Sequence, residues 1–400
     1  MKIAWLSNAP WAPTGYGNQT NVFVPRLQAA GHQMAVIAFY GNEGGMLNWN
    51  GIPIFPRAFH PYGQDVAAAH AASFGADILI SLMDAWVCTP ETLRAARWCP
   101  WFPVDMDPLP PPVRERVRQA FQPIVYSRFG ERMCQTAGIE TMYVPHGVDT
   151  QAFRPEPMRE AREKLNWPQD TFVVGMVAAN KGVPSRKAFP QQLEAFAQFR
   201  RRHSDAVLYL HTMRGERGEM GGVNLVELCE HLDLRVGTDV LFCDQYQNTM
   251  GFPDAYMSAA YSGMDVLLSV TMGEGFGIPI VEAQACGTPV IIGGWTAMPE
   301  LLFSGWQVSQ EEADKWWTPL GAYQWTPRVG AIAERLEAAY SLLAAHSPEM
   351  SGKARQGALA YDADRVVREY WLPVLKRIEE RVAIAQRASE TVRADWLARA

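Results

Sequence analysis

Short apolar runs of strand length alternate with amphipathic stretches along most of the chain, and glycines and prolines mark the joints. Ile3–Ser7 reads as a first buried strand and Pro13–Asn18 as a glycine loop. Asn21–Ala30 reads as a helix stopped by Gly31, and Met34–Phe39 as a second strand. A strand–loop–helix–strand order of this kind predicts a parallel sheet. Further strands are predicted at Asp77–Asp84, Trp101–Pro108, Pro123–Ser127 and Met142–Asp149, with a helix over Phe129–Gly138. A charged stretch, Glu156–Lys164, then reads as a linker and the first helix of a second unit. There the alternation restarts, with strands at Thr171–Val177, Ala206–His211, Val240–Cys243, Asp265–Val270 and Pro289–Ile292. Helices are predicted over Phe189–His203, Val329–His346 and Asp364 to about Arg393, the last kinked at Pro373. The turn Arg214–Gly222, rich in glycine and charge, is predicted as a mobile surface loop. Two separate series predict two α/β domains, residues 1–155 and 156–365, followed by a terminal helical segment, 366–400.

Composition narrows the class. Hydrophobic residues make up 48% of the 400 residues and charged residues 20%, an ordinary globular balance. A net charge of −6 argues against a generally basic nucleic-acid binder. The six cysteines are scattered without a Cys-x-x-Cys pair or a metal-ligand spacing to histidine, which points to a reduced, cytoplasmic protein. Met1-Lys2 leads directly into an apolar strand, and no apolar run reaches the roughly 18 residues that a membrane span needs. The fourteen tryptophans are read mainly as packing residues. Arg114, Arg116 and Arg118 could meet an anionic acceptor or a membrane surface, but acids balance bases across this half, which favours a solvated helix face.

The stretch Met272–Ala283 carries the strongest chemical signal. It reads as strand, glycine loop and helix. Gly273, Gly275 and Gly277 permit a tight turn and close approach of a ligand to the backbone. Pro279 suits the first helical turn, and the helix N-terminus behind the loop is a ready anion site. Two carboxylates, Glu274 and Glu282, flank it. Gly15-x-Gly17 invites a dinucleotide reading as well, but Thr20 stands where a third glycine belongs, so an NAD(P)-linked enzyme is a remote reading.

Glu274 and Glu282, with the intervening Gly-Phe-Gly-Ile-Pro-Ile-Val and the following Ala-Gln-Ala-Cys-Gly-Thr-Pro-Val, resemble the paired-glutamate motif of retaining glycosyltransferases of family 4. The resemblance is strong over Val240–Leu302, good around Val144–Pro155 and weaker over Trp11–Asp107. It implies the GT-B fold: two Rossmann-like domains facing across a cleft, with the terminal helix crossing back to the first. The donor would lie mainly on the second domain and the acceptor on the first. It further implies that Glu282 accepts hydrogen bonds from the nucleotide ribose and that Glu274 orders the sugar side of the loop. Backbone N–H groups of Gly275, Phe276 and Gly277 would approach donor oxygens. Lys187 falls at the family's diphosphate-binding lysine. The family arginine's place holds Gly182, so Arg186 or Lys181 would serve. Gly15 and Gly17 fit the family's first glycine loop, which faces the donor phosphate and transferred sugar, although a plain tight turn fits equally. Asp244–Tyr246 would border the nucleotide base, and Gly293–Glu300 would border the same cleft.

The first domain departs from the family at the sugar-binding histidine, where this chain has Met83-Asp84, making Asp84 a candidate substitute. Asp105 either faces the cleft or caps the helix near Val113–Ala120. His146 is read as structural. The resemblance implies transfer with retained configuration, no metal and no cofactor beyond the nucleotide-sugar co-substrate, with a UDP-sugar preferred over a GDP-sugar. The acceptor stays open among glycan, lipid, small molecule, protein and modified nucleic acid, and peripheral contact with a membrane stays open with it. A different class also stands: a non-catalytic nucleotide-sugar or glycan-binding protein of the same fold.

Overall fold

The apolar runs assemble into two separate sheets. The computed structural model describes residues 1–215, 221–343 and 348–399, and the side chains of these apart from residues 343 and 389–399. Residues 216–220 of the expected surface turn, 344–346 of the expected helix and Ala400 lie outside the described residues.

The first sheet contains β1 (Lys2–Asn8), β2 (Gln33–Tyr40), β3 (Leu47–Trp49), β4 (Ile52–Pro56), β5 (Ile78–Leu82), β6 (Trp98–Phe102), β7 (Ile124–Val125) and β8 (Met142–Tyr143). Their order is β3-β4-β2-β1-β5-β6-β7-β8, parallel except for the β3–β4 edge pair. The second sheet contains β9 (Phe172–Val177), β10 (Ala206–His211), β11 (Val240–Phe242), β12 (Val266–Ser269), β13 (Val290–Gly293) and β14 (Gly305–Val308). It is parallel throughout, in the order β11-β10-β9-β12-β13-β14. Strands covered on both faces read as continuous apolar runs, which is why β5 and β6 are buried at every residue. A hairpin absent from the sequence reading, β15 (Ala313–Trp317) with β16 (Tyr323–Pro327), stands apart from both sheets.

Both sheets reverse direction once. In the first, β1 lies between β2 and β5; in the second, β9 lies between β10 and β12. Such switch points open a crevice beyond the carboxyl ends of the strands, where ligands bind in open α/β sheets.

Two helices differ from expectation. The first begins at Gly15 rather than Asn21, because the Thr14 side chain accepts a hydrogen bond from the Gly17 N–H at 3.0 Å and caps it. Gly15 and Gly17 are therefore helical rather than loop residues. A Cβ at Gly17 would stand 2.2 Å from the Ala12 carbonyl oxygen, so this glycine serves packing of the turn. The terminal helix starts at Ala363, widens into a π-helical turn at Val367–Trp371 and continues as Leu372–Arg399. The Leu372 N–H donates to the Val367 carbonyl, so the ladder slips by one residue immediately before Pro373, which has no N–H to give.

That turn places Trp371 in the first domain. Its ring packs at 4.9 Å from Trp101, 5.7 Å from Trp5 and 5.9 Å from Phe23. The terminal segment is also stitched to the outgoing connection: Val148 N–H donates to Tyr361 O and Ala363 N–H to Val148 O, both at 2.9 Å. Arg26 binds Asp149 at 2.9 Å and Asp364 at 2.7 Å, holding both crossings against the first helix. Of the three arginines read as a solvated face, Arg116 donates to the Cys88 and Pro112 carbonyls and Arg118 to that of Ala137, so these two are engaged within the protein. Trp371→Ala is expected to cost about 3–5 kcal/mol by emptying this aromatic cluster. Chemical denaturation measures it; an unchanged midpoint would mean that the terminal helix adds nothing to the first domain.

Candidate functional site

Three loops meet between the two sheets. From the second sheet come the segments that follow β9 and β12, one on each side of its switch point. They are locked together by backbone and amide contacts. Met272 N–H donates to Arg186 O at 2.9 Å. Gln192 donates to Lys187 O at 2.7 Å and accepts from Val270 N–H at 2.9 Å. The third segment, Pro103–Asp107, follows β6 of the first sheet.

The charged side chains converge there. Lys187 Nζ donates to Glu274 Oε1 at 2.5 Å. Arg186 Nη1 lies 3.6 Å from Glu274 Oε2 and 3.4 Å from Asp105 Oδ2, and donates to the Gly273 carbonyl. Glu274 is 8% exposed. Burial pushes its carboxyl up, but Lys187 and Arg186 outweigh that and hold it below its usual range, so it is ionised at neutral pH. Burial lowers the Lys187 ammonium, opposed by Glu274 beside it. Asp105 is pushed up to about 6 by burial, against the pull of Arg186. The helix over Pro111–Val117 has no side-chain cap, so of the two readings of Asp105 the cleft-facing one holds. Asp84 accepts a hydrogen bond from Tyr16 Oη at 3.3 Å, and Tyr126 lies close to both. Asp84 thus joins the same group from the first sheet's switch point.

The glycine loop also accommodates the first domain. A Cβ at Gly273 would stand 2.4 Å from Asp105 O, and one at Gly275 2.5 Å from Pro103 Cβ. These two glycines let the first domain close on the loop. Gly277 has φ +110°, where a side chain would be strained, and begins helix Ile278–Ala285. Phe276 is buried against His146 at 5.2 Å and Tyr361 at 5.5 Å. A Cβ on Gly15 would meet Ile278 at 3.7 Å, so Gly15 lies against that helix start, whereas Gly17 faces the Ala12 carbonyl.

Glu282 lies within the helix that follows the loop. It accepts from Tyr261 Oη at 2.7 Å, and burial pushes its carboxyl up to about 7. Asp244 caps the helix Gln245–Met250 by accepting from Gln247 N–H at 2.7 Å, which leaves Tyr246 exposed beyond it. His146 Nδ1 donates to Gln19 Oε1 at 2.9 Å, and burial drives its imidazole down to about 3. It is neutral and internal, as read from sequence. Lys181 is exposed, and its charge bears on Lys187. The Gly293–Glu300 loop borders the site: Thr296 Oγ1 accepts from Glu274 N–H at 3.0 Å.

Sequence reasoning missed Gln324, Tyr16 and Tyr126. Gln324 Nε2 donates to Asp105 Oδ2 at 3.2 Å from the unforeseen hairpin. Tyr16 stood between two quoted glycines and could have been noticed as the polar side chain nearest the cleft. Among the described residues, no group of three His, Cys, Asp or Glu side chains is arranged to hold a metal ion.

Residues 171–318, which contain the second sheet and all its charged loops, match the family described as Glycosyl transferases group 1. This stretch is a group 1 glycosyltransferase domain. Related by sequence is a GDP-mannose-dependent α-(1-6)-phosphatidylinositol monomannoside mannosyltransferase of Mycolicibacterium smegmatis, 31% identical over 45% of this chain and 44% of the relative. A D-inositol 3-phosphate glycosyltransferase of Saccharomonospora viridis is 29% identical over 48% of this chain and 44% of the relative. The matched stretch thus spans less than half the length of these relatives. Among solved structures, sucrose-phosphate synthase of Thermosynechococcus elongatus superposes with a TM-score of 0.74 over 94% of this chain and 98% of that one, at 18% identity. Anabaena HepE in complex with UDP and glucose gives 0.67 over 94% and 100%, at 17% identity. The group 1 domain is accordingly the second half of a GT-B fold whose two sheets span most of the chain.

The Glu282 carboxyl offers a direct check on the site's electrostatics. Its folded pKa, about 7, lies above the 4.5 of a free glutamate. The native state therefore holds the proton more tightly, and stability falls as pH rises from about 4.5 through 7. Glu282→Gln should gain stability relative to the parent by on the order of 1–3 kcal/mol between pH 5 and 8. Urea denaturation across that range measures it, and a pH-independent difference would place Glu282 in solvent.

Proposed function

We propose that the protein is a retaining glycosyltransferase that takes a nucleotide-sugar donor on the switch-point loops of its group 1 domain and transfers the sugar to an acceptor hydroxyl held by the first domain. The observation that carries this reading is the meeting of Lys187, Arg186 and Glu274 on two adjacent loops beside a helix N-terminus. Two cations at one locus suit a diphosphate, whose leaving oxygen gains charge as the sugar departs. In the reaction the bond from the anomeric carbon to the diphosphate oxygen breaks and a bond to the acceptor oxygen forms on the same face. The acceptor proton passes to the departing diphosphate. Lys187 and Arg186 stabilise that diphosphate, Glu274 holds Lys187 and orders the sugar side, and N–H groups of Gly275, Phe276 and Gly277 meet donor oxygens. Glu282 takes the ribose hydroxyls. Asp84 faces the sugar from the first domain, with Gly15 beside it; the internal setting of Gly17 makes its part that of a turn.

A UDP-sugar is the favoured donor, and a GDP-sugar the alternative. The reading uses no metal and no other cofactor. The acceptor class is open, from glycan to lipid or modified nucleic acid. No helix among the described residues is long and apolar enough to cross a membrane, and the six cysteines are unpaired, which suits a cytoplasmic protein with peripheral access to membranes. A binding protein without turnover is the second reading, favoured by the absence of a histidine at Met83. Release of nucleoside diphosphate from a sugar nucleotide separates the two.

Lys187→Ala should lower kcat by about 10²–10³ with a smaller effect on KM, because its partner gains charge in the transition state. Glu282→Gln should instead raise the donor KM with a smaller change in kcat, because the ribose is unchanged by the reaction. Steady-state kinetics with UDP-glucose and GDP-mannose check both, with circular dichroism to verify folding. Wild-type kcat in Lys187→Ala on a saturating donor would remove the lysine from the site. NMR of the first product should show the donor's anomeric configuration; inversion would exclude the retaining reading.

A further inference from the structure

The two cations read as diphosphate ligands are already engaged by carboxylates, and the two engagements differ in kind. Glu274 belongs to the same domain as Lys187 and Arg186. Asp105 does not: it reaches Arg186 from the first sheet, at 3.4 Å. Its segment is fastened to the β15–β16 hairpin and to the glycine loop by close contacts. Asp107 N–H donates to Tyr323 O at 3.1 Å and Tyr323 N–H to Asp107 O at 2.8 Å. Gln324 donates to Asp105 Oδ2, and the loop glycines Gly273 and Gly275 lie against Asp105 and Pro103. The Asp105–Arg186 pair is thus the charged element of a seam that closes the two domains at the mouth of the donor site.

We propose that Asp105 is a positioning residue that competes with the donor's diphosphate for Arg186, holding the guanidinium while the donor is absent and yielding it when the donor binds. This rests on the reading that Arg186 and Lys187 take the diphosphate. The pair is suited to exchange: the Arg186 side chain is 35% exposed and that of Asp105 21%, so solvent weakens their attraction. A diphosphate offers more charge and several oxygens to the planar fork of a guanidinium. Once Arg186 turns to the donor, Asp105 is left facing Asp84 and Glu274, with Lys187 as its remaining cation. Without Arg186, Asp105 takes up a proton more readily, so the carboxylate does not oppose the bound donor.

The groups facing Asp105 are Arg186, Lys187 and Glu274 from the second sheet, Asp84, Tyr16 and Tyr126 from the first, and Gln324 from the hairpin. Because burial brings Asp105 up to about 6, acid neutralises it and frees Arg186. Donor affinity governed by this pair therefore rises as pH falls through about 6.

The test compares the full chain with Asp105→Asn, which keeps the size of the side chain, by calorimetry with UDP-glucose and with GDP-mannose. At pH 7.5 the variant should bind whichever sugar nucleotide is taken roughly 2–5-fold more tightly, the scale of a partly exposed ion pair. The ratio of the two affinities should shrink toward one by pH 5.5; Glu282 is common to both proteins and cancels from it. Without donor, amide hydrogen exchange at Asp107 and Tyr323 should be faster in Asp105→Asn than in the parent. Equal or weaker binding by a folded Asp105→Asn, or a ratio independent of pH, would overturn the competition and leave the donor reading intact. Binding of neither sugar nucleotide by either protein would overturn the donor reading itself.

Discussion

The charged cluster at the carboxyl ends of β9 and β12 is the constraint on which the rest of the structure depends. Four charged groups partly withdrawn from water are stable together only if each finds a partner. Lys187 with Glu274, and Arg186 with Asp105, satisfy that demand. The surrounding architecture supplies the geometry. The β9–β12 switch point sets the two loops side by side, Gln192 fixes their spacing, and Thr296 anchors the Glu274 backbone. The first domain completes the arrangement through Asp105 and, more distantly, Asp84. The crossings at Val148 and Ala363, bonded to each other, connect the two domains.

Much of this was legible because strand and loop carry short-range signals. Apolar runs such as Ile78–Leu82 and Val290–Ile292 have the length and β-branched character of buried parallel strands, and the sheet they form follows from the alternation with helices. The glycine loop with Glu274 and Glu282 could be found by wording alone. So could Lys187, whose place was counted from the helix behind it, and the adjacent Arg186, one of two cations open to replace the arginine missing at Gly182.

What stayed hidden depends on contacts between distant parts of the chain. Whether Asp105 capped a helix or faced a cleft turned on where the β15–β16 hairpin lies, and nothing local to residues 313–327 says that Gln324 reaches across to the other domain. The start of the first helix was misplaced by six residues because Thr14, a strong cap, was read with the glycines as loop. The glycines at 273 and 275 were assigned to ligand approach, while the structure gives them a neighbouring domain to accommodate. Most tryptophans were rightly read as packing, but that Trp371 would join Trp5 and Trp101 could not be inferred from any one segment.

The central claim is that Lys187 and Arg186 meet the donor's diphosphate. Phosphorus NMR of a bound sugar nucleotide reads this contact directly. With UDP-glucose or GDP-mannose, both diphosphate resonances should move on binding to the parent protein, and at least one should return toward its free position in a folded Lys187→Gln that still binds through ribose and base. Identical bound spectra for the parent and Lys187→Gln would contradict the account, because the diphosphate would then lie away from the cluster.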